Sequence, residues 1–330
     1  MTTVLLVGTG AVGVRAARQL VDTPSIERVL LASRGTPEGL AEMLGAKATA
    51  TTHRVADAVP EGVDAVASAL PAEPDAVLAR RCIDAGVPVA SVVDGAAAID
   101  RLLALDDDAR RAGITVAAGC GLAPGLADVL ARHAADALDG ADGVRVARSG
   151  VAGAASLASL RRERRETGVM WVDGGWRRNH RSGAELVWFP DPIGAHDCYP
   201  VGGGVRLLVQ ALPDVELAGV RADDPPSRSL AARLRRMDAG WGATRVEVSG
   251  WRGRGREILV YGVVERTAVA AGTVLALTAA LLSGAVPELE RRMREPGVYG
   301  LGALVEPAPF LAELARRGVK AAVFEGVAVA

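Results

Sequence analysis

The chain has little cysteine. Three residues, Cys82, Cys120 and Cys198, among 330, with no C-x-x-C spacing, give neither a disulfide framework nor a structural zinc site. No metal is expected, and a reducing cytoplasm is the compartment that fits. Excess charge of either sign is also missing. A formal net charge of −1 offers no basis for holding nucleic acid or an anionic membrane. There is no repeat period and no low-complexity tail. Arg15 is the first charged residue, so the start lacks the basic region of a secretory leader, and residues 3–7 are needed as a strand. The uncharged stretch from Thr267 to Pro287 is rich in Ala, Thr and Gly and stops at Ser283-Gly284. It leaves about 15 helical residues or ~22 Å, short of the ~20 residues of a membrane span. A buried helix at a domain or subunit interface is expected there.

What the chain does have begins at once. Thr3-Val4-Leu5-Leu6-Val7 reads as a strand, Gly8-Thr9-Gly10-Ala11-Val12-Gly13 as a phosphate-binding turn, and Val14, Ala17 and Leu20 as the apolar stripe of a helix. The spacing G-x-G-x-x-G carries weight only in this strand–turn–helix setting. Gly8 permits the tight turn, Gly10 lets the backbone approach a pyrophosphate, and Gly13 lets the helix pack on the strand. Free N–H groups at the helix start, from Ala11 and Val12 onward, then face the phosphates.

The next strand, Arg28 to Arg34, ends in Ser33-Arg34, where an NAD site usually places an acidic residue on the ribose hydroxyl. A hydroxyl beside a guanidinium suits a 2′-phosphate, so NADP(H) is favoured over NAD(H). An Arg stacking on adenine in an NAD site is the alternative. Strands 64–70, 87–93 and 114–118, with helices between them, continue the alternation. In a parallel open sheet, ligands bind outside the carboxyl ends of the strands. Ala69-Leu70-Pro71, Asp94 and Gly119-Cys120-Gly121 should therefore converge with the Gly8 turn around the nicotinamide. Asp94 is a candidate catalytic residue or a helix N-cap. Cys120 is read as small-residue packing against the cofactor, since no histidine can be placed beside it to make it a nucleophile.

Beyond Gly121 the character changes. All five tryptophans lie past residue 170, and stretches such as 245–248 and 258–264 alternate with period two. The expected fold is α/β, an N-terminal Rossmann domain with a doubly wound, mostly parallel sheet (1–122), joined to a second, α+β domain with a mixed sheet (123–300). A segment from about 300 to 330 is expected to return to the first domain.

These residues resemble the saccharopine dehydrogenase-like NAD(P)-dependent oxidoreductases. The likeness rests on the Gly8–Gly13 turn with Ser33-Arg34, on Gly119-Cys120-Gly121-Leu122-Ala123-Pro124-Gly125-Leu126-Ala127-Asp128, and on a C-terminal pattern. That pattern runs from Ala271-Gly272-Thr273 through Leu281-Leu282-Ser283-Gly284 and Pro296-Gly297-Val298 to Pro309-Phe310-Leu311 and Arg317-Gly318-Val319. The resemblance implies hydride transfer at a carbon–nitrogen bond of an amino-acid-derived or related small substrate, with a second domain that holds substrate and forms a homodimer. No residue match assigns carboxylate-binding arginines, so the individual substrate does not carry over.

Reducing an imine calls for a side chain that supplies a proton near neutral pH, most often histidine. His53 and His133 read as structural. His180 and His196 lie in the aromatic-rich stretch 171–199, read as irregular, where loops can reach the crevice. His196 and Tyr199 are the first candidates, against a surface turn after Pro190-Asp191-Pro192. Trp176, Arg178 and His180 are candidates for clamping substrate, against an exposed basic turn. The run Arg161-Arg162-Glu163-Arg164-Arg165 reads as a solvated helix face. A reductase of an enoyl or carbonyl acceptor and a non-catalytic NADP-binding sensor stay open as other classes.

Overall fold

The computed structural model describes residues 2–35, 37–166, 168–179, 183–224, 240–289, 291–292 and 295–324. The first half alternates strand and helix: β1 (Thr2–Val7), α1 (Ala11–Val21), β2 (Ile26–Ala32), α2 (Glu38–Leu44), β3 (Ala48–Thr51), β4 (Ala65–Ser68), α3 (Ala72–Ala85), β5 (Val89–Ser91), α4 (Ala96–Leu103), α5 (Asp106–Ala112) and β6 (Thr115–Ala118). After α6 (Leu126–Asp136) come β7 (Gly140–Ser149), α7 (Ala154–Glu163), β8 (Gly168–Val172), β9 (Gly175–Asn179), β10 (Glu185–Phe189), β11 (Gly194–Val201), α8 (Val205–Ala211) and β12 (Leu217–Asp223). The chain continues through β13 (Trp241–Arg252), β14 (Gly255–Arg266), α9 (Thr267–Leu282), β15 (Gly297–Gly300), α10 (Leu301–Leu304), α11 (Pro307–Arg316) and β16 (Ala322–Phe324).

The first sheet has seven strands in the order β15-β6-β5-β4-β1-β2-β3, and every pairing is parallel. The order 3-2-1-4-5-6 is that of the Rossmann fold. A parallel sheet covered on both faces needs apolar side chains in both phases of each strand. β1 supplies them: Val4 and Leu6 join one core, Leu5 and Val7 the other. The seventh strand, β15, arrives from far along the chain and pairs with β6, Val298 opposite Val116.

The second sheet has nine strands, ordered β10-β11-β12-β7-β13-β14-β16, with β8 and β9 branching from β12. β7 and β12 run parallel while the remaining pairs are antiparallel, so the sheet is mixed. Val144, Val146, Val246 and Val248 face α6 in the same apolar core that holds one face of the Rossmann sheet. The two-part α/β architecture expected from the sequence is thus present. The 171–199 stretch is more regular than its composition indicated, being four strands paired as the hairpins β8–β9 and β10–β11.

α9 is apolar on all sides and buried almost throughout, as a helix enclosed by protein must be. It lies against α1 with no room to spare: a Cβ at Gly272 would stand 2.5 Å from the Arg15 Cβ and 2.9 Å from the Val12 carbonyl oxygen. Among the described residues no helix is long and apolar enough to cross a membrane.

Candidate active site

At the end of β1 the backbone turns at Gly8 with φ of 99°, a conformation open to glycine. Its N–H donates to the Ala32 carbonyl at 2.8 Å, and a Cβ there would lie 2.7 Å from the Ala69 carbonyl oxygen. A Cβ at Gly13 would fall 1.8 Å from the Gly8 carbonyl oxygen, so strand and helix touch through their glycines. Gly10 differs. It is the N-cap of α1 with no side-chain cap, and nothing lies within 4 Å of where its Cβ would be. The Ala11, Val12 and Gly13 N–H groups belong to the first turn, which has no intrahelical acceptors; the ladder begins with Val14 N–H to the Gly10 carbonyl. Just past β2, Ser33 Oγ accepts the Gly35 N–H at 3.1 Å, and Arg34 is exposed with no ion pair among the described residues.

Because β6, β5, β4 and β1 are successive neighbours, their carboxyl ends bring Cys120-Gly121, Asp94, Ala69-Leu70-Pro71 and Gly8–Gly13 to one edge of the sheet. Below that edge Asp75 of α3 is fully buried and accepts hydrogen bonds from Ser68 Oγ at 2.5 Å and Ser91 Oγ at 2.9 Å. Burial pushes its carboxyl up to about 6 in spite of these bonds. Cys120 is fully buried, and burial pushes its thiol up to about 12. A thiol so held is packing, not a nucleophile. Asp128 of α6 accepts the Gly125 N–H at 3.1 Å, closing the loop that follows Gly119, and burial pushes it up to about 7.

Asp94 is not a helix cap, since α4 takes Gly95 as its N-cap. Its carboxylate reaches across to the second sheet, accepting Ser159 Oγ at 2.6 Å and facing Arg148 Nη1 at 3.5 Å. Arg148 Nη2 donates to Glu163 at 2.5 Å. The Arg148 and Glu163 side chains are only 11% and 2% exposed. Burial pushes the Glu163 carboxyl up to about 7, with Arg148 opposing and Asp94 adding to the rise. Burial draws the Arg148 guanidinium down, but Glu163 and Asp94 outweigh it and hold it above its usual value. The helix that carries Ser159 and Glu163 starts beside the glycine turn: a Cβ at Gly153, the N-cap of α7, would be 3.4 Å from the Ala11 Cβ.

This corrects the view of residues 161–165 as a solvated face. α7 turns Glu163 inward, and Arg164 lies over the Tyr199 ring at 3.7 Å. Sequence reasoning missed Arg148, Ser159 and Glu163. One signal was available: Val144, Val146 and Arg148 share a phase of β7, which puts a cation in line with inward-facing valines.

The other candidates fall on the second sheet. His196 of β11 has Nδ1 3.5 Å from Asp223 Oδ2, and Asp223 accepts Ser149 Oγ at 2.7 Å. His196 therefore sits in a strand, two links from the residue beside Arg148. Trp176 packs edge-on to Trp171 at 5.0 Å and beneath the Arg206 guanidinium at 4.6 Å, while Arg206 pairs with Asp100. Arg178 is exposed on β9, and His180 lies outside the described residues. Among the described residues no group of three or more His, Cys, Asp or Glu is arranged to hold a metal ion.

No family model matches the chain. Solved structures do. Saccharopine dehydrogenase (L-Glu forming) from Saccharomyces cerevisiae is similar at 16% identity over 98% of this chain and 100% of that one, with a TM-score of 0.67. The DAP dehydrogenase of C. glutamicum, solved in complex with DAP, is 16% identical over 96% and 99% of the two chains at a TM-score of 0.55. An amine dehydrogenase from Mycobacterium smegmatis is 13% identical over 92% and 96% at 0.51. At such identities the likeness is one of fold, shared with these three structures over 92–98% of the chain.

Proposed function

We propose that the protein is an NADP(H)-dependent oxidoreductase acting on a carbon–nitrogen bond of an amino-acid-derived or related small substrate. The observation that carries this is the juxtaposition of two features at one sheet edge: a glycine turn open at Gly10, and a cluster in which Asp94, beyond β5, meets Arg148, Ser159 and Glu163 of the facing unit.

The residues present fit a dinucleotide. The position a Cβ would fill at Gly10 is clear, and uncapped N–H groups at the start of α1 favour a diphosphate. Ser33 and Arg34 follow β2, and a hydroxyl beside an exposed guanidinium there supports NADP(H) over NAD(H). When bound, the cofactor supplies or accepts the hydride. Asp94, Arg148 and Ser159 then orient the substrate nitrogen, and Asp94 or the Asp223-linked His196 handles the proton that accompanies hydride transfer. Residues 1–122 act as the cofactor unit and 123–300 as the substrate unit, through which two copies associate. The likeness to dehydrogenases whose names specify saccharopine, DAP and amine supports the C–N assignment.

Following the absorbance of NADPH in the presence of imines, of keto acids with amines, and of enoyl thioesters tests the proposal. Turnover with the C=N class is expected. Turnover confined to enoyl or carbonyl acceptors would reassign the bond, and tight NADPH binding without turnover on any acceptor would favour a sensor.

A further inference from the structure

One buried carboxylate lies beneath the crevice without entering it. Asp75 stands in the first turn of α3 and is 1% exposed. The two hydroxyls it accepts come from different strands: Ser68 ends β4, Ser91 ends β5, and the two residues are register partners. Hydrogen bonds to a charged acceptor are the strong ones, and away from solvent neither has a substitute. A single side chain of α3 therefore clasps two adjacent strands at the point where their loops leave the sheet.

Each hydroxyl leads to a different part of the crevice. Beyond Ser68 stands Ala69, whose N–H donates to the Val7 carbonyl at 2.9 Å. Ala69 also packs on the glycine turn: a Cβ at Gly8 would be 2.7 Å from its carbonyl oxygen, and one at Gly13 3.4 Å from its Cβ. Beyond Ser91 the chain runs to Asp94. The Ser91 hydroxyl accepts the Val93 N–H at 3.2 Å, and its carbonyl accepts the Cys120 N–H at 2.7 Å. The route to the glycine turn starts from Asp75 Oδ1 and the route to Asp94 from Oδ2.

We propose that Asp75 is a positioning residue whose carboxylate sets the glycine turn through Ser68 and Asp94 through Ser91, so that one group aligns the two halves of the crevice. The proposal rests on the reading of this crevice as a cofactor and substrate site for the purpose of that alignment, but the alignment itself can be measured with no cofactor bound.

Amide hydrogen exchange of the full chain, followed by NMR in Ser68→Ala, Ser91→Ala and Asp75→Asn, tests it. Two pairs of amides report on the two routes: Gly8 and Ala69 on the turn, Cys120 and Ala98 on the Asp94 side, each bonded to a backbone carbonyl. Ser68→Ala is expected to speed exchange at the first pair by about tenfold more than at the second, as loss of a bond to a buried charge does, and Ser91→Ala to do the reverse. Asp75→Asn, which replaces one acceptor oxygen by a donor, should speed both. Exchange that rises equally across the sheet in every variant would make Asp75 a support of the fold alone and overturn the proposal, as would exchange unchanged in all three. NADPH titrated into the same variants should lose about tenfold in affinity with Ser68→Ala and little with Ser91→Ala, and equal losses would also count against the two routes. A failure of NADPH to bind the unmodified chain would count against the cofactor assignment alone, since exchange is read without it.

Discussion

Glycine at position 10 is the residue on which the proposed cofactor binding turns, because it is the one glycine of the motif facing open space. Gly8 and Gly13 press on backbone, so replacing them disturbs the fold, whereas a Cβ at Gly10 meets nothing within 4 Å. Gly10→Val should therefore leave the circular dichroism spectrum and the unfolding midpoint unchanged while abolishing binding of NADPH and NADH alike; retained affinity would remove the dinucleotide assignment. Arg34→Glu tests the choice between the two cofactors. Exchanging a phosphate donor for a repelling carboxylate should weaken NADPH by about ten- to a hundredfold and NADH little, and equal losses would contradict a 2′-phosphate contact. The thiols belong to this scale too. Cys82, Cys120 and Cys198 are buried, and burial raises all three, so iodoacetamide at mildly alkaline pH should leave the native protein unlabelled and react only after unfolding.

At the scale of elements, the contact that matters most to the glycine turn is α9 on α1. The helix whose uncapped N–H groups follow the turn is held from behind by Gly272, and a side chain there has no space between Arg15, Ala16 and Val12. Gly272→Leu should lower stability by at least about 1–3 kcal/mol, the usual cost of overpacking, and displace the start of α1, so that denaturant midpoint and NADPH affinity fall together. A lowered midpoint with unchanged affinity would mean that α9 supports the fold but not the turn. β7 shows how one strand can serve two ends: Val144 and Val146 anchor it in the core, and the next residue of that phase, Arg148, delivers a charge to the crevice.

For the molecule as a whole, burial of acids sets the response to pH. Asp128 is raised from 3.8 to about 7 and Asp75 to about 6, each chiefly by burial. A carboxyl raised in the folded state keeps its proton where the unfolded chain has lost it. Its contribution to stability is thus complete below the unfolded value of about 4 and declines as pH climbs through the folded one. Stability should fall between about pH 4 and about pH 7, by an amount on the order of a few kcal/mol. Asp128→Asn keeps an acceptor for the Gly125 N–H but cannot ionise, so urea titrations near pH 5 and near pH 8 should give it a smaller difference in stability than the parent. An equal difference would mean that Asp128 titrates normally.

Much of this was legible in the chain, because it depends on neighbours in sequence. The βαβ start, the parallel alternation to residue 118, the period-two strands of the second half and the uncharged 267–282 helix all follow from local pattern, where side-chain periodicity and glycine punctuation act over a few residues. The glycine turn was readable for the same reason, its three constraints lying within six positions. The crevice cluster was not. Asp94 comes from the first sheet, Arg148 from β7, Ser159 and Glu163 from α7, and nothing local distinguishes a glutamate in an arginine-rich helix that faces water from one that turns inward. Only the tertiary placement of α7 decided that, with Ser159 against Asp94 and Glu163 against Arg148, which took solvent from one face of the helix and gave the charge its partner.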